Sequence, residues 1–231
     1  FLTKQNPYFD KSAQKIKRYN IKNYDLKKLF TSSARVRQGY SIQQHCERVV
    51  DEYERFYPHF KSFLIDFKKR YGINIDILLA VVLVLHDIGK PIPETNSKQL
   101  ITTIPILRAL FKRLSFSDFE IKLACTLVNN DVFGNLLRGF IGPKKGATKL
   151  RKSAKKLGIK QQDYISLRTL YYLCDAYSYE CIRSNINRKM FLSDKGRSLG
   201  EKSSPYIVMR TVLDSDYSYK KDPLYFYHRV L

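Results

Sequence analysis

The chain has 231 residues, of which 44% are hydrophobic and 27% charged, a globular composition outside the disordered range. Its 42 basic and 21 acidic side chains give a formal charge of +21, an excess that points to a polyanionic partner. The longest uninterrupted apolar run, Ile77–Leu85, is too short to cross a bilayer, and the lysine-rich segment Phe1–Asn20 lacks the apolar centre of a secretory signal.

Residues 1–34 read as a basic N-terminal extension, 35–192 as one helical domain, and 193–231 as a C-terminal extension packing on it. From Ser41 to Phe56 the apolar positions Ile42, Cys46, Val49, Val50, Tyr53 and Phe56 recur every three or four residues, predicting an amphipathic helix. Tyr57-Pro58-His59 then reads as a helix–helix connection. The run Ile77–Leu85 predicts a helix apolar on every side, with Asp76 as N-cap, Gly89 as a left-handed C-terminal residue and Pro91 as the stop. A buried strand fits the run as well, but the cap signals bracket a helical length.

Further helices are predicted at Ile104–Leu114 and at Asp118–Asn130, the latter with Ser117 as N-cap and Glu120 three residues on. Phe133–Lys160, rich in Gly and Lys, reads as a loop with a short basic helix, and Gly134–Lys156 as a mobile, substrate-facing segment. Asp163–Met190 predicts one long helix. Val208–Leu213 fits a short strand or a helix turn, and the tyrosine-rich tail Asp214–Leu231 has no clear period. The sum is an all-α bundle of five to eight helices with irregular, basic ends. Cys46, Cys125, Cys174 and Cys181 form no CxxC pair, and each falls in an apolar stripe. They read as reduced, structural thiols of a cytoplasmic protein.

Chemistry concentrates at few positions. His86 and Asp87 follow the most apolar helix, where an acid opposes the helix dipole and an unpaired buried carboxylate is costly. A divalent cation removes both penalties. His45 stands at the border of the apolar face of its helix, and Asp175 at the same kind of border on the last long helix. Two histidines and two aspartates suit one divalent metal ion: Mn, Fe, Co, Ni, Zn or Mg.

This pattern, His45, then His86-Asp87-Ile88-Gly89-Lys90-Pro91, then Asp175 in Leu173-Cys174-Asp175-Ala176, resembles the HD-domain metal-dependent phosphohydrolase superfamily. The resemblance covers roughly residues 35–183. It implies an HD-like helical domain that binds one divalent ion through His45, His86, Asp87 and Asp175. The implied activity is a phosphomonoesterase or phosphodiesterase that cleaves a nucleotide or nucleic-acid phosphate with a metal-activated water. In that reading Asp87 orients or deprotonates the water, and Lys90 reaches a phosphate oxygen. Arg35 and Arg37 are candidates for a second phosphate clamp, and Glu94 for the general acid. One departure is clear. No histidine occurs between His86 and His228, so the extra ligands of binuclear members are missing; Asn129, Asn130 and Asp131 stand there instead as candidate substrate contacts. His59 and His228 carry no assigned role.

The basic density, interleaved with tyrosines such as Tyr19, Tyr24, Tyr206 and Tyr219, also fits cationic contacts to phosphates and stacking on unpaired bases. Two competing readings follow: a non-catalytic HD-fold module that binds nucleic acid or a nucleotide signal, and a protein held on anionic lipid by its basic patches.

Overall fold

The computed structural model describes residues 20–21, 24–34, 39–92, 99–129, 131–179 and 205–213. Helix dominates them, and the expected all-α architecture is what the chain builds. Among the described residues the sheet is one antiparallel pair of two-residue strands, β1 (Asn20–Ile21) and β2 (Tyr24–Asp25), with Asn20 opposite Asp25. The chain divides into two compact units, Phe1–Arg55 with Leu64–Asn130, and Phe56–Phe63 with Asp131–Leu231.

In the first unit, α1 (Leu26–Thr31) starts where the Asp25 carboxylate accepts the Lys28 amide, and it buries Leu26, Leu29 and Phe30. Helix α2 (Ile42–Tyr71) opens on a capping box, Ser41 and Gln44 bonding each other's backbone, and closes at Gly72 with φ 69°. The connection expected at Tyr57-Pro58-His59 is a correction: Pro58 lies inside α2. A mid-helix proline costs about 3 kcal/mol. Burial of Phe56, Phe60, Leu64 and Phe67, each worth about 1.5–3 kcal/mol, carries the apolar stripe through it and outweighs that cost.

Helix α3 (Ile75–Leu85) is buried on every side from Leu78 to Leu85, which decides helix over strand and makes it the centre of its unit. Two details of its ends differ from expectation. The N-cap is Asn74, while Asp76 sits in the first turn and accepts from the Tyr53 hydroxyl at 3.0 Å. Gly89 is not left-handed; the chain leaves through successive tight turns, Ile88 N–H to Leu85 O and Lys90 N–H to Asp87 O. The backbone needs no positive φ there, because i to i−3 bonds simply continue the right-handed winding. Helix α4 (Gln99–Arg113) begins before the expected Ile104. It packs against α5 (Asp118–Val128), whose Ser117–Glu120 capping box is as the sequence reads, and both helices rest on α3.

The second unit contains α6 (Val132–Leu137), α7 (Pro143–Leu157), α8 (Gln161–Tyr177) and α9 (Pro205–Leu213). Over Phe133–Lys160, expected as a loop with a short basic helix, the basic helix is α7, 15 residues long, and α6 replaces part of the expected loop; the segment read as mobile is mostly α7. Pro143 starts α7 and left-handed Gly158, φ 71°, ends it. Gly146 does not break this helix, because a neighbour occupies the space above it. A β-carbon there would meet Met209 Sδ at 3.3 Å, so the glycine admits α9. Helix α8 ends at Tyr177, short of the expected Met190, which lies outside the described residues. Val208–Leu213 is helix, within α9. Phe56 meets Tyr177 edge-on at 5.1 Å, and Phe133 packs against Tyr172 and Tyr206.

Cys46, Cys125 and Cys174 are buried and in no disulfide, as expected, and Cys181 lies outside the described residues. Among the described residues no helix is long and apolar enough to cross a membrane.

Candidate metal centre

In the first unit, two elements bring three side chains together. His45 stands in the first turn of α2, and the capping box at Ser41 fixes where that turn begins. Beside it, the Cys46 thiol donates to the Val84 carbonyl at 3.0 Å, tying the start of α2 to the end of α3. The last carbonyls of a helix have no partner within it, so this bond uses an acceptor that α3 leaves over. His86 is the C-cap of α3 and Asp87 the residue after it.

His45, His86 and Asp87 are all buried. Three atoms converge. His45 Nε2 lies 3.2 Å from His86 Nε2 and 3.1 Å from Asp87 Oδ2, and His86 Nε2 lies 3.3 Å from the same Oδ2. His86 Nδ1 is 2.7 Å from the Leu83 carbonyl. A carbonyl only accepts, so Nδ1 donates to it and Nε2 faces the cluster, where loss of its proton would free a lone pair for a metal ion. A backbone acceptor on the far nitrogen is the usual way a protein orients a ligating imidazole.

Burial pushes the Asp87 carboxyl up. The charge of His86, hydrogen bonds from His45 and His86, and the charge of Lys90 together override burial and hold it well below the ordinary carboxylate range. Asp87 is therefore a carboxylate. The Lys90 ammonium, expected to reach a phosphate, bonds Asp87 Oδ2, and its side chain is 20% exposed. A further support escaped the sequence reading. The Gly89 amide donates to the buried Thr103 hydroxyl of α4 at 3.1 Å, pinning the turn that carries the His-Asp pair. Neither Thr103 nor the Leu83 carbonyl leaves a sequence signal, since one is a lone threonine and the other is backbone.

The donor set fits a divalent ion. Metal–ligand bonds of about 2.0–2.1 Å imply edges of about 2.9–3.4 Å between neighbouring ligands in octahedral or tetrahedral shells. The observed triangle has edges of 3.1–3.3 Å. A proton can be shared by only two of these three atoms, whereas a divalent cation held by His45, His86 and Asp87 would satisfy all three. This buried His/Asp group can hold a metal ion.

The remaining expected residues are carried by other elements. Asp175 is half-buried on α8 in the second unit, where the Ser178 hydroxyl bonds its backbone carbonyl at 2.6 Å. Asn129 is the C-cap of α5. Asp131 is the N-cap of α6: its carboxylate accepts the Gly134 amide at 2.9 Å and pairs with Arg138 at 2.7 Å, with Arg168 at 3.9 Å. Arg168, buried on α8 over the Tyr171 ring, was not anticipated. Arg35, Arg37, Glu94 and Asn130 lie outside the described residues.

Comparisons with protein-family models, with curated proteins and with solved structures returned no match to this chain.

Proposed function

We propose that this chain is an HD-type metal-dependent phosphohydrolase acting on a nucleotide or nucleic-acid phosphate. The observation that supports it best is the buried triangle of His45 Nε2, His86 Nε2 and Asp87 Oδ2, with edges that suit a divalent ion. In this reading Asp175 is the fourth ligand, on the strength of the sequence pattern His, His-Asp, Asp. The bound ion supplies a Lewis acid for a phosphate oxygen and lowers the pKa of a water.

The chain's own groups have separate tasks. Leu83 and Thr103 hold His86 and the following turn rigid, so the ligand atoms do not spread apart. Asp87, itself a ligand in this reading, would orient or deprotonate the metal-bound water. Lys90 extends positive charge from the buried carboxylate to the surface, where a substrate phosphate arrives. Arg35, Arg37, Asn129, Asn130 and Asp131 stay in this proposal as substrate contacts and Glu94 as the acid for the leaving group.

Elemental analysis of the purified chain beside Asp87→Ala and Asp175→Ala, each checked by circular dichroism, tests it. About one equivalent of divalent metal in the wild type, lost in both variants, is expected, followed by hydrolysis in a screen of phosphomonoesters and phosphodiesters. A wild type that takes up no metal from Mn²⁺, Co²⁺, Ni²⁺ or Zn²⁺ overturns the enzyme reading and leaves the HD-fold binding module.

A further inference from the structure

The second unit carries a charged surface for which the metal centre has no use. Between Asp131 and Asp163 the sequence contains no acidic residue. Most of that stretch is α7, whose two faces separate cleanly. At about 100° per residue, the buried Gly146, Ala147, Leu150, Ala154 and Leu157 occupy an arc of about 100°. The exposed Lys144, Lys145, Lys152, Lys155 and Lys156 occupy an arc of about 120° centred nearly opposite. The apolar side is engaged by α8, α9 and α6. Arg151 is engaged too, donating to Gln161 and to the Val212 carbonyl. What faces outward is a lysine stripe about 18 Å long, from Lys144 to Lys156 at 1.5 Å per residue.

A second feature adjoins the stripe. Phe140, three residues before α7, is 71% exposed. Its position is fixed: the Phe140 and Ile141 amides both donate to the Asn135 carbonyl, at 2.8 and 3.3 Å, after left-handed Gly139. The Arg138 guanidinium stands 5.4 Å from the Phe140 ring centroid. A rigidly presented aromatic face beside a cationic track is the combination that grips an unpaired strand, bases stacking on the ring and phosphates lying along the lysines.

We propose that α7 and the Arg138–Phe140 turn form a binding surface for single-stranded nucleic acid. An anionic bilayer fits less well, because the apolar face that an interfacial helix buries in lipid is already packed inside the protein. A duplex leaves Phe140 without a base to stack on. The proposal does not rest on the metal centre, and it survives if the chain binds no metal.

The test is fluorescence anisotropy with labelled 15-nucleotide oligo(dT) and oligo(U), a duplex of equal length, and vesicles containing phosphatidylserine as competitor, all in EDTA. Wild type is expected to bind the single strands more tightly than the duplex, and the DNA and RNA arms show which backbone it prefers. The variant Lys144→Gln/Lys145→Gln/Lys152→Gln/Lys155→Gln should bind at least tenfold more weakly in 0.1 M salt. The slope of log affinity against log salt should become shallower by up to about 3, at about 0.7 per lost phosphate contact. The matching set of Lys→Arg changes should restore binding, and Phe140→Ala should weaken single-strand binding about fivefold or more while sparing the duplex. No single-strand binding, wild-type affinity in the Lys→Gln or Phe140→Ala variant, duplex bound as tightly as single strand, or displacement by vesicles overturns the proposal. An Asp87→Ala chain that loses metal but keeps oligonucleotide affinity separates this surface from the metal reading.

Discussion

Replacing Asp87 by Asn tests the metal centre with least change of shape. In the wild type Asp87 Oδ2 accepts from Lys90 and lies within 3.1–3.3 Å of both imidazoles. Breaking a buried pair costs about 3–5 kcal/mol when the surviving charge stays buried. Here the survivor is Lys90, a fifth exposed, whose ammonium can turn to water. The expected loss without metal is therefore smaller, about 1–3 kcal/mol, in line with charge-assisted hydrogen bonds exchanged for neutral ones. The larger effect appears on adding metal. An ion at a hundred times its Kd stabilises the folded chain by about 2.7 kcal/mol. For a chain of this size that raises Tm by about 5–11 °C. Differential scanning fluorimetry with Mn²⁺, Co²⁺, Ni²⁺ and Zn²⁺ should give that rise for wild type and none for Asp87→Asn. An equal rise in the variant would refute the assignment of Oδ2 as a ligand atom.

Other expectations follow from single contacts. Thr103→Val leaves the buried Gly89 amide without its 3.1 Å acceptor; a loss of about 1–3 kcal/mol is expected in urea titration, with weaker metal retention on dialysis. Asp131→Ala removes the N-cap of α6 and the Arg138 pair, and should cost about 1 kcal/mol in the same assay. The Tyr172 phenol is raised above its ordinary range, chiefly by burial and then by the negative charges of Asp131 and Asp175, against Arg138 and Arg168. A raised acid contributes fully below the unfolded-state value near 10 and loses that contribution as pH rises toward the folded-state value. Compared with Tyr172→Phe, the wild type should therefore lose up to about 1.4 kcal/mol per pH unit above pH 10 in alkaline denaturation. Parallel curves for the two proteins would show that the phenol is not held neutral.

The sequence by itself determined the helical class and the starts of α2 and α5. Three- and four-residue apolar spacing and the capping signals at Ser41 and Ser117 act locally, and the backbone obeys them. It also nominated His45, His86 and Asp87, because a His-Asp pair after a wholly apolar helix is chemically conspicuous. Where local signals conflicted, tertiary packing decided. Pro58 and Gly146 both argue against helix, yet buried Phe60, Leu64 and Phe67 carry α2 past the proline, and Met209 fills the space above the glycine. The convergence of the ligand atoms was likewise out of reach of a linear reading. His45 and His86 are 41 residues apart, and their meeting at 3.2 Å depends on Cys46 bonding the end of α3 and on Leu83 and Thr103 fixing the turn. Such contacts leave no periodicity, because each is made by a single group whose partner is chosen by the fold.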